Sequence, residues 1–297
     1  MITLALFLIF IDLNLIYIIK NTNKYMSSNK CYLSPAYQGN KSLKIMHLII
    51  TRFMIEFWPF DDFKNRIYKN DYIINGIRVM KKYLFPSLEN QSCQDFIWIL
   101  KIGDKANITY IKSLLNFTTI FRKDVIYEKD IRNYTRLITK GYDVLITSRI
   151  DYDDRIYYDA VNDVRKLVNV NRPMMLYGYN RGLYYFESDN KYYELIEDFN
   201  KQGVMSVFVS LIVILNKVND TYNIFDLGTH ILVRARLKEN YRSFGINELN
   251  YEPSLFEKGD MKFIWVRQKY SGIFNYSMSI KKTLKEYNLN LSKFYGK

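Results

Sequence analysis

The stretch Tyr142-Asp-Val-Leu-Ile-Thr-Ser-Arg-Ile-Asp-Tyr-Asp-Asp154 decides how the rest of the chain is interpreted. Residues 144–150 are mostly apolar and predict a buried β-strand, after which Asp151, Asp153 and Asp154 follow at once. Carboxylates this close repel one another and are costly to desolvate unless a cation or hydrogen-bond donors lie between them. If the extended backbone continues past the strand, Asp151 and Asp153 share one side and can bind one hard cation, Mg²⁺ or Mn²⁺.

A structural role for the same acids is the alternative. Aspartate is a favoured helix N-cap, so Asp153 or Asp154 could cap a helix that the spacing of apolar residues predicts over 155–168. A cap needs only one carboxylate, whereas three stand within four positions. The sequence therefore favours a functional acid cluster and leaves the cap open for one of its members.

Composition indicates a globular protein with a basic surface. The 297 residues are 48% hydrophobic and 25% charged, and the formal net charge is +13. Nucleic-acid-binding proteins concentrate their basic residues in a patch or stripe. Here the lysines and arginines are scattered, and the denser runs at 78–82, 234–238 and 281–285 have the spacing of solvated helix faces. We therefore expect no nucleic-acid partner, although the charge would attract an anionic small molecule or an acidic membrane surface.

Cysteine and histidine are both scarce. Cys31 and Cys93 are too few for a disulfide framework or a cysteine-based zinc site, which suits a reducing compartment such as the cytoplasm. Neither His47 nor His230 lies in a motif of the Ser-His-Asp or His-Glu-x-x-His type. The sequence therefore gives no support to a hydrolase built around histidine.

Residues 1–19 are almost entirely apolar and just long enough to span a membrane. Asp12 near the middle would cost about 2.5–3.5 kcal/mol on insertion, and lysines follow the segment. Two interpretations stay open: a membrane anchor that keeps the protein on the cytoplasmic face, or a dispensable extension. A cleaved signal is ranked below both, because no basic n-region precedes the apolar run. Residues 20–44 are then a linker, and residues 45–297 form one domain.

From residue 45 onward, strand-like and helix-like segments alternate, which predicts an α/β domain. Strands are expected over residues 45–51, 95–102, 118–127, 143–150, 174–179 and 262–266. Helices are expected over residues 71–84, 107–115, 131–140, 155–169, 228–238 and 277–289. Residues 183–186 could pair with the strand at 174–179, and residues 206–215 fit either a strand or a buried helix. Gly141 is expected to end the helix before it.

Three segments carry a resemblance to known enzymes. Residues 86–100, Pro-Ser-Leu-Glu-Asn-Gln-Ser-Cys-Gln-Asp-Phe-Ile-Trp-Ile-Leu, are similar to the entry into the second strand of family 2-like glycosyltransferases. Together with residues 49–53 and 147–154 they resemble the rhamnosyltransferase family, and Trp265 is similar to a residue in that family's C-terminal strand. The resemblance covers most of residues 46–276. It implies a GT-A-like fold, a mixed and mostly parallel sheet flanked by helices, with the nucleotide at the C-terminal ends of the first strands.

The resemblance also implies a reaction. A sugar, rhamnose by the family's name, would move from a nucleotide-diphosphate donor to a glycan or another hydroxyl acceptor. In such enzymes an Asp-x-Asp motif holds the metal that neutralises the leaving diphosphate, which assigns Mn²⁺ or Mg²⁺ to Asp151 and Asp153, with Asp154 beside them. Thr51, Arg52, Arg149 and Asp151 are expected around the nucleotide sugar.

The remaining roles are assigned to residues farther along the chain. Asp226 is the candidate base that would deprotonate the acceptor hydroxyl, with Asp220 and Asp189 ranked behind it. His230, four residues after Asp226, is a candidate third metal ligand.

The sequence also departs from the family pattern. Residues 100–104, Leu-Lys-Ile-Gly-Asp, stand where many family 2 enzymes have an acidic pair, and residues 204–215 lack an acid where a base would be sought. A non-catalytic binding protein of the same fold is therefore one alternative. A haloacid-dehalogenase-type phosphatase is another, but its Asp-x-Asp motif follows the first strand, whereas this one is central and precedes Arg155.

Overall fold

The computed structural model describes residue 31 and residues 43–55, 66–116, 121–179, 181–196, 207–228, 263–267 and 285–295. In this part of the chain, no helix is both long and apolar enough to cross a membrane. The apolar segment 1–19, the helix expected over 228–238 beyond its first residue, and most of the one expected over 277–289 lie outside the described residues.

Six strands form the first sheet: β1 Ile45–Phe53, β2 Ile97–Ile102, β3 Arg122–Tyr127, β4 Val144–Asp151, β6 Met174–Gly178 and β9 Val209–Ile214. Their order is β3-β2-β1-β4-β9-β6. The first four pair in parallel, and β9 lies antiparallel between β4 and β6. This confirms the mixed, mostly parallel sheet, and it settles residues 209–214 as a strand.

Helices cover both faces of this sheet. They are α1 Asn70–Lys82, α2 Leu84–Glu89, α3 Ile108–Leu114, α4 Ile131–Ile138 and α5 Ala160–Arg165; a short helix, α6 Leu291–Phe294, lies near the C-terminus. Because side chains alternate along a strand, β1 sends Ile49 into one apolar core and Leu48 into the other. Both residues are fully buried, as expected for a parallel sheet with helices on both sides.

Five shorter strands form a second sheet: β5 Arg155–Ile156, β7 Arg181–Phe186, β8 Lys191–Ile196, β10 Phe263–Arg267 and β11 Glu286–Tyr287. Their order is β11-β8-β7-β10-β5. The prediction that residues 183–186 pair with the strand at 174–179 was wrong, since they lie between β8 and β10. Cross-strand tyrosine pairs favour the observed hairpin, and the rings of Tyr185 and Tyr192 are 4.8 Å apart.

Several predicted helix boundaries were also wrong. The helix expected from residue 155 begins only at Ala160, because Ile156 pairs with Phe263 in the second sheet. Its N-cap position is therefore Asp159 and not Asp153 or Asp154. At the C-terminal end, residues 286–287 form a strand instead of a helix.

Two local predictions concern proline and glycine. The helix expected over 71–84 ends at Lys82, and the separate helix α2 includes Pro86 in its first turn, where an N–H has no intrahelical partner in any case. Gly141 has φ of +82°, which confirms the left-handed conformation expected just beyond a helix.

A disulfide joins Cys31 to Cys93, with the two Cα atoms 4.9 Å apart. The two cysteines, too few for a disulfide framework, nevertheless form this one bond, and their separation of 62 positions gave no sign in the sequence that folding brings them together. Residue 31, inside the predicted linker, is thus covalently joined to the loop before β2. Disulfides persist in oxidising compartments and are rare in the cytosol, so this bond argues against the reducing compartment inferred from the cysteine count.

A chain of buried polar groups crosses the middle of the first sheet. His47 Nε2 lies 2.8 Å from Ser148 Oγ, which lies 2.6 Å from Ser210 Oγ. The three residues come from the neighbouring strands β1, β4 and β9, and all are almost fully buried. Burial, and then the positive charge of Arg165, holds the pKa of His47 well below its ordinary value. This histidine–serine pair is therefore a structural element of the core and not an accessible nucleophile.

We predict that Cys31→Ser lowers the free energy of unfolding by about 2–4 kcal/mol, because the disulfide restricts the unfolded chain. Urea denaturation of the oxidised protein measures the loss. A reducing agent should destabilise the wild-type protein by a similar amount and leave the variant unchanged. An equal response of both proteins to the reducing agent would contradict the bond.

We predict that stability falls as the pH decreases through 6.5, the ordinary pKa of histidine, because the unfolded chain then binds a proton that buried His47 rejects. The loss continues until the lower pKa of the folded state is reached. Urea midpoints measured between about pH 8 and pH 5 test this. The His47→Gln variant should show a smaller slope over the same range, and an identical slope would assign the effect to other groups.

Candidate functional site

The candidate site lies where the parallel strands β1, β2 and β4 end. In the strand register, Arg52 stands beside Lys101 on one side and Asp151 on the other. Arg149 precedes Asp151 by two residues in β4, so alternation places it on the same face of the sheet. One face of this edge thus presents three cationic side chains and one carboxylate.

The two arginines share one carboxylate oxygen. Arg52 Nη2 lies 3.4 Å and Arg149 Nη2 lies 3.5 Å from Asp151 Oδ1. Both distances are long for a charge-assisted hydrogen bond, which is usually about 2.7–2.9 Å. The Arg149 side chain is only 3% exposed, and its Nη1 atom has no hydrogen-bond partner among the described residues. A buried guanidinium with an unused donor is a natural contact for an anion.

Lys101 is the third cation of this edge, and its side chain is 5% exposed. Its Nζ lies 2.7 Å from Glu128 Oε1, in the 3-10 turn that follows β3. The same Nζ lies 4.2 Å from the centre of the Phe225 ring, and the Arg149 guanidinium carbon lies 5.4 Å from it. Both cations thus pack on one aromatic ring, which stabilises them where solvent is scarce.

A second 3-10 turn, Ile224–Leu227, carries Phe225 to this edge. The Ile224 N–H donates a hydrogen bond of 2.8 Å to Thr147 Oγ1 in β4. The turn is closed by a capping box, in which Asn223 Oδ1 accepts from the Phe225 N–H at 2.9 Å and Asp226 Oδ2 accepts from the Asn223 N–H at 2.8 Å. The turn therefore has a fixed position over the strand ends.

Each cation at this edge makes it less favourable for its neighbours to stay charged. Burial lowers the pKa of Arg149 to about 10; the Asp151 carboxylate opposes this, and the charge of Arg52 adds to it. Burial also lowers the pKa of Lys101, against the effect of Glu128, and the two arginines lower it further. Cations that disfavour each other in a desolvated place favour the binding of a further negative charge there.

The acid motif has a different geometry from the one expected. The Asp154 N–H donates to the Asp151 carbonyl at 3.3 Å, so the chain turns immediately after β4 instead of staying extended. Asp151 contacts the arginines, and both Asp151 and Asp153 help burial to raise the pKa of Tyr152. The expectation that the backbone stays extended past the strand was therefore wrong.

The last acid of the motif, Asp154, and the grouping of the acids also bear on metal binding. Asp154 is almost fully buried, with 1% of its surface exposed. Within the residues that the structure describes, no group of three or more histidine, cysteine, aspartate or glutamate side chains could hold a metal ion. Asp151, Asp153 and Asp154 thus do not make up such a group, and Mn²⁺ or Mg²⁺ at these residues stays a prediction of the sequence. His230 lies outside the described residues.

Thr51 is another predicted site residue that the structure places elsewhere. It is fully buried, and its hydroxyl accepts a hydrogen bond of 2.9 Å from the Trp98 indole. Along β1 it precedes Arg52 by one residue, so it points to the opposite face of the sheet. Its hydroxyl satisfies the buried indole N–H of Trp98 in the core, on the face of the sheet opposite the cations that would meet a nucleotide sugar.

The three candidate bases differ in their surroundings. Asp226 is exposed, yet partial desolvation by the surrounding protein raises its pKa, and its capping hydrogen bond to the Asn223 N–H opposes the shift. Asp220 instead pairs with Arg132 at 2.9 Å and with Arg136, and the bond to Arg136 lowers its pKa. Asp189 accepts from the Tyr193 hydroxyl in the second sheet. Asp226 therefore keeps the environment best suited to a general base.

A cavity of about 350 Å³ lies at the same edge of the sheet. It is lined by Met54, Tyr68, Asn70, Ile73, Lys105, Ala106, Asn107 and Tyr110. Met54 directly follows β1, and residues 105–107 lie between β2 and α3. A side chain in place of Gly103 would clash with the Met54 carbonyl and the Tyr68 hydroxyl, so glycine allows this close approach.

Sequence reasoning missed Lys101, Glu128 and Phe225 as parts of the site. A signal for Lys101 was available, since a lysine at the end of the otherwise apolar strand Ile-Trp-Ile-Leu-Lys-Ile is unusual in a buried sheet. Glu128 and Phe225 carried no comparable signal, because only the tertiary fold brings their turns to this edge.

The sheet is mixed and mostly parallel, lies between helices and presents polar groups at the ends of its first strands, as the resemblance implied. Residues 51–230, more than half of the chain, match the family described as "Putative rhamnosyl transferase", and the chain belongs to that family. No curated protein matches the chain.

Two solved structures are similar at low identity. One is the inositol-1-phosphate CTP transferase from T. maritima, with 9% identity, a TM-score of 0.37 and coverage of 82% of this chain and 99% of that one. The other is a structure titled as a putative glucose-1-phosphate thymidylyltransferase from Bacillus anthracis in complex with a sucrose, with 13% identity, a TM-score of 0.35 and coverage of 72% and 87%.

We predict that Asp226→Asn separates the two roles of this residue. Asparagine keeps an oxygen that can accept from the Asn223 N–H, so the free energy of unfolding should change by less than the ~1 kcal/mol typical of a lost cap. Asp226→Ala removes that acceptor and should be the less stable variant. If Asp226 is the base, both variants lose sugar transfer. Full activity of the folded asparagine variant would leave Asp226 with the capping role alone.

Proposed function

We propose that the protein is a glycosyltransferase that moves a sugar from a nucleotide-diphosphate donor to a hydroxyl of a glycan or another acceptor. The observation that carries the proposal is the group of buried cations, Arg149 above all, at the C-terminal ends of parallel strands. Open α/β sheets bind their ligands at this edge. Membership of the rhamnosyl transferase family supports the same reaction class and suggests rhamnose as the sugar.

In this proposal two parts of the molecule near the strand ends hold the donor: the cationic face of the sheet, and the cavity beside the opposite apolar core. The diphosphate would lie against Arg52 and Arg149, since guanidinium groups match phosphate oxygens in charge and geometry. The cavity beside Met54 and Ala106 would take the nucleoside, because it combines apolar walls with amide, amine and phenol groups. Its volume falls within the range of small-molecule sites.

Transfer then needs two chemical contributions. A carboxylate, Asp226 in this proposal, accepts the proton of the acceptor hydroxyl while the hydroxyl oxygen bonds to the anomeric carbon. The bond from that carbon to the diphosphate oxygen breaks, and its electron pair leaves with the diphosphate. Cations already in place stabilise this developing charge without having to reorganise. Mn²⁺ or Mg²⁺ as the cofactor stays a prediction of the sequence.

We predict that one class of donor stabilises the protein in a thermal-shift screen of UDP-, GDP- and dTDP-sugars. A donor with micromolar affinity at millimolar concentration should add about 4 kcal/mol to the free energy of unfolding. Release of the nucleoside diphosphate with an acceptor present measures turnover. Binding without turnover for any acceptor would support the non-catalytic alternative, and no binding of any donor would contradict the proposal.

We predict that Ala106→Leu weakens donor binding by about tenfold or more, because the added side chain occupies the cavity. Ser113→Leu is the matched control, since Ser113 is exposed on α3 and is not among the residues that line the cavity. Isothermal titration of the same donor into both variants measures the difference. Equal affinities would place the nucleoside elsewhere.

A further inference from the structure

We propose that Arg52, Lys101 and Arg149 neutralise the donor's diphosphate directly, so that binding and transfer need no divalent metal ion. This inference rests on the proposed function, because it concerns how the same donor is held. It adds Lys101, the buried cation near the end of β2, to the donor site. We call these three residues the cationic cluster.

The first argument is that the acid motif does not offer a site for a divalent ion. Mg²⁺ and Mn²⁺ need several converging oxygen ligands. Here the Asp151 carboxylate already contacts Arg52 and Arg149, and the described residues contain no group of three or more acidic, histidine or cysteine side chains that could hold a metal ion. A cation entering beside Asp151 would also meet the repulsion of both guanidinium groups. The residues of the motif therefore do not fit the ion that the sequence predicted.

The second argument is that the cationic cluster is built for an anion. Lys101 and Arg149 are both more than nine-tenths buried, and each is held in place by the ring of Phe225. Arg149 Nη1 is buried and makes no hydrogen bond within the described residues. Burying a charged donor without a full set of acceptors costs free energy, and a phosphate oxygen would remove that cost.

The third argument concerns the anions already present. The carboxylates of Asp151 and Glu128 each lie within reach of the cluster, and Asp154 acts on Arg149 from a distance. The contacts from Arg52 and Arg149 to Asp151 are 3.4 and 3.5 Å long, which leaves room for shorter bonds to a phosphate. Lys101 keeps a close bond of 2.7 Å to Glu128 and contributes its charge while staying fixed.

The test compares the binding of UDP, GDP and dTDP to the full chain in EDTA and in Mn²⁺ by isothermal titration. The inference predicts that EDTA leaves the Kd of the preferred nucleotide within about twofold of its value in Mn²⁺. Nucleotide release from the sugar donor should also continue in EDTA. A Kd weakened by about tenfold or more in EDTA and restored by Mn²⁺ would overturn the inference and leave the proposed function standing.

Variants then locate the bound diphosphate. Lys101→Met and Arg149→Met keep the length of the side chain and remove the charge, and each should weaken nucleotide binding in EDTA by about tenfold or more. Arg78→Met, on the exposed face of α1, is the control and should bind like the wild-type protein. Wild-type affinity in the folded Arg149 variant would overturn the inference. If the variants fail to fold, the EDTA comparison on the wild-type protein still decides it, and no binding in either buffer would overturn the proposed function as well.

Discussion

Parallel pairing of β1 with β2 and β4 is the constraint on which the rest of the site depends. It fixes Arg52 between Lys101 and Asp151, at a height where all three strands end. The strands can take this position because their other residues are buried and mostly apolar on both faces, and helices cover them. A slip of one residue in β1 would turn Arg52 into the core and expose Thr51 in its place. The geometry of the charges is therefore a consequence of core packing.

The sequence predicted the first sheet well, because its strands are long apolar runs. It also grouped Arg149 and Asp151 around the expected nucleotide sugar, and alternation along β4 does place both on one face. It failed after Asp151, where the chain turns and then pairs Ile156 with Phe263, a partner more than a hundred residues away. The spacing of apolar residues favoured a helix there, but residues 155–156 instead pair with the distant strand β10. The order of strands in the second sheet could not be predicted either, because it also depends on pairing between distant residues.

The charges show the same division between local and distant information. A run of three acids in four residues indicates a metal site when it is considered alone. In the folded chain, Arg52 and Arg149 contact Asp151, Asp153 helps to raise the pKa of Tyr152, and Asp154 is buried. Lys101 was noticed only as a departure from a family pattern, and its significance comes from Glu128 and Phe225, which arrive from other elements. Residue type predicted the chemistry, and tertiary contacts decided which ligand it suits.

The bond between Cys31 and Cys93 has a consequence for proteolysis. It closes a covalent ring that contains β1, α1 and α2. One cut of the backbone anywhere inside that ring yields two pieces that remain joined through sulfur. Everything that precedes residue 31, including the apolar segment at the start of the chain, therefore stays attached to the domain after such a cut, until the bond itself is reduced.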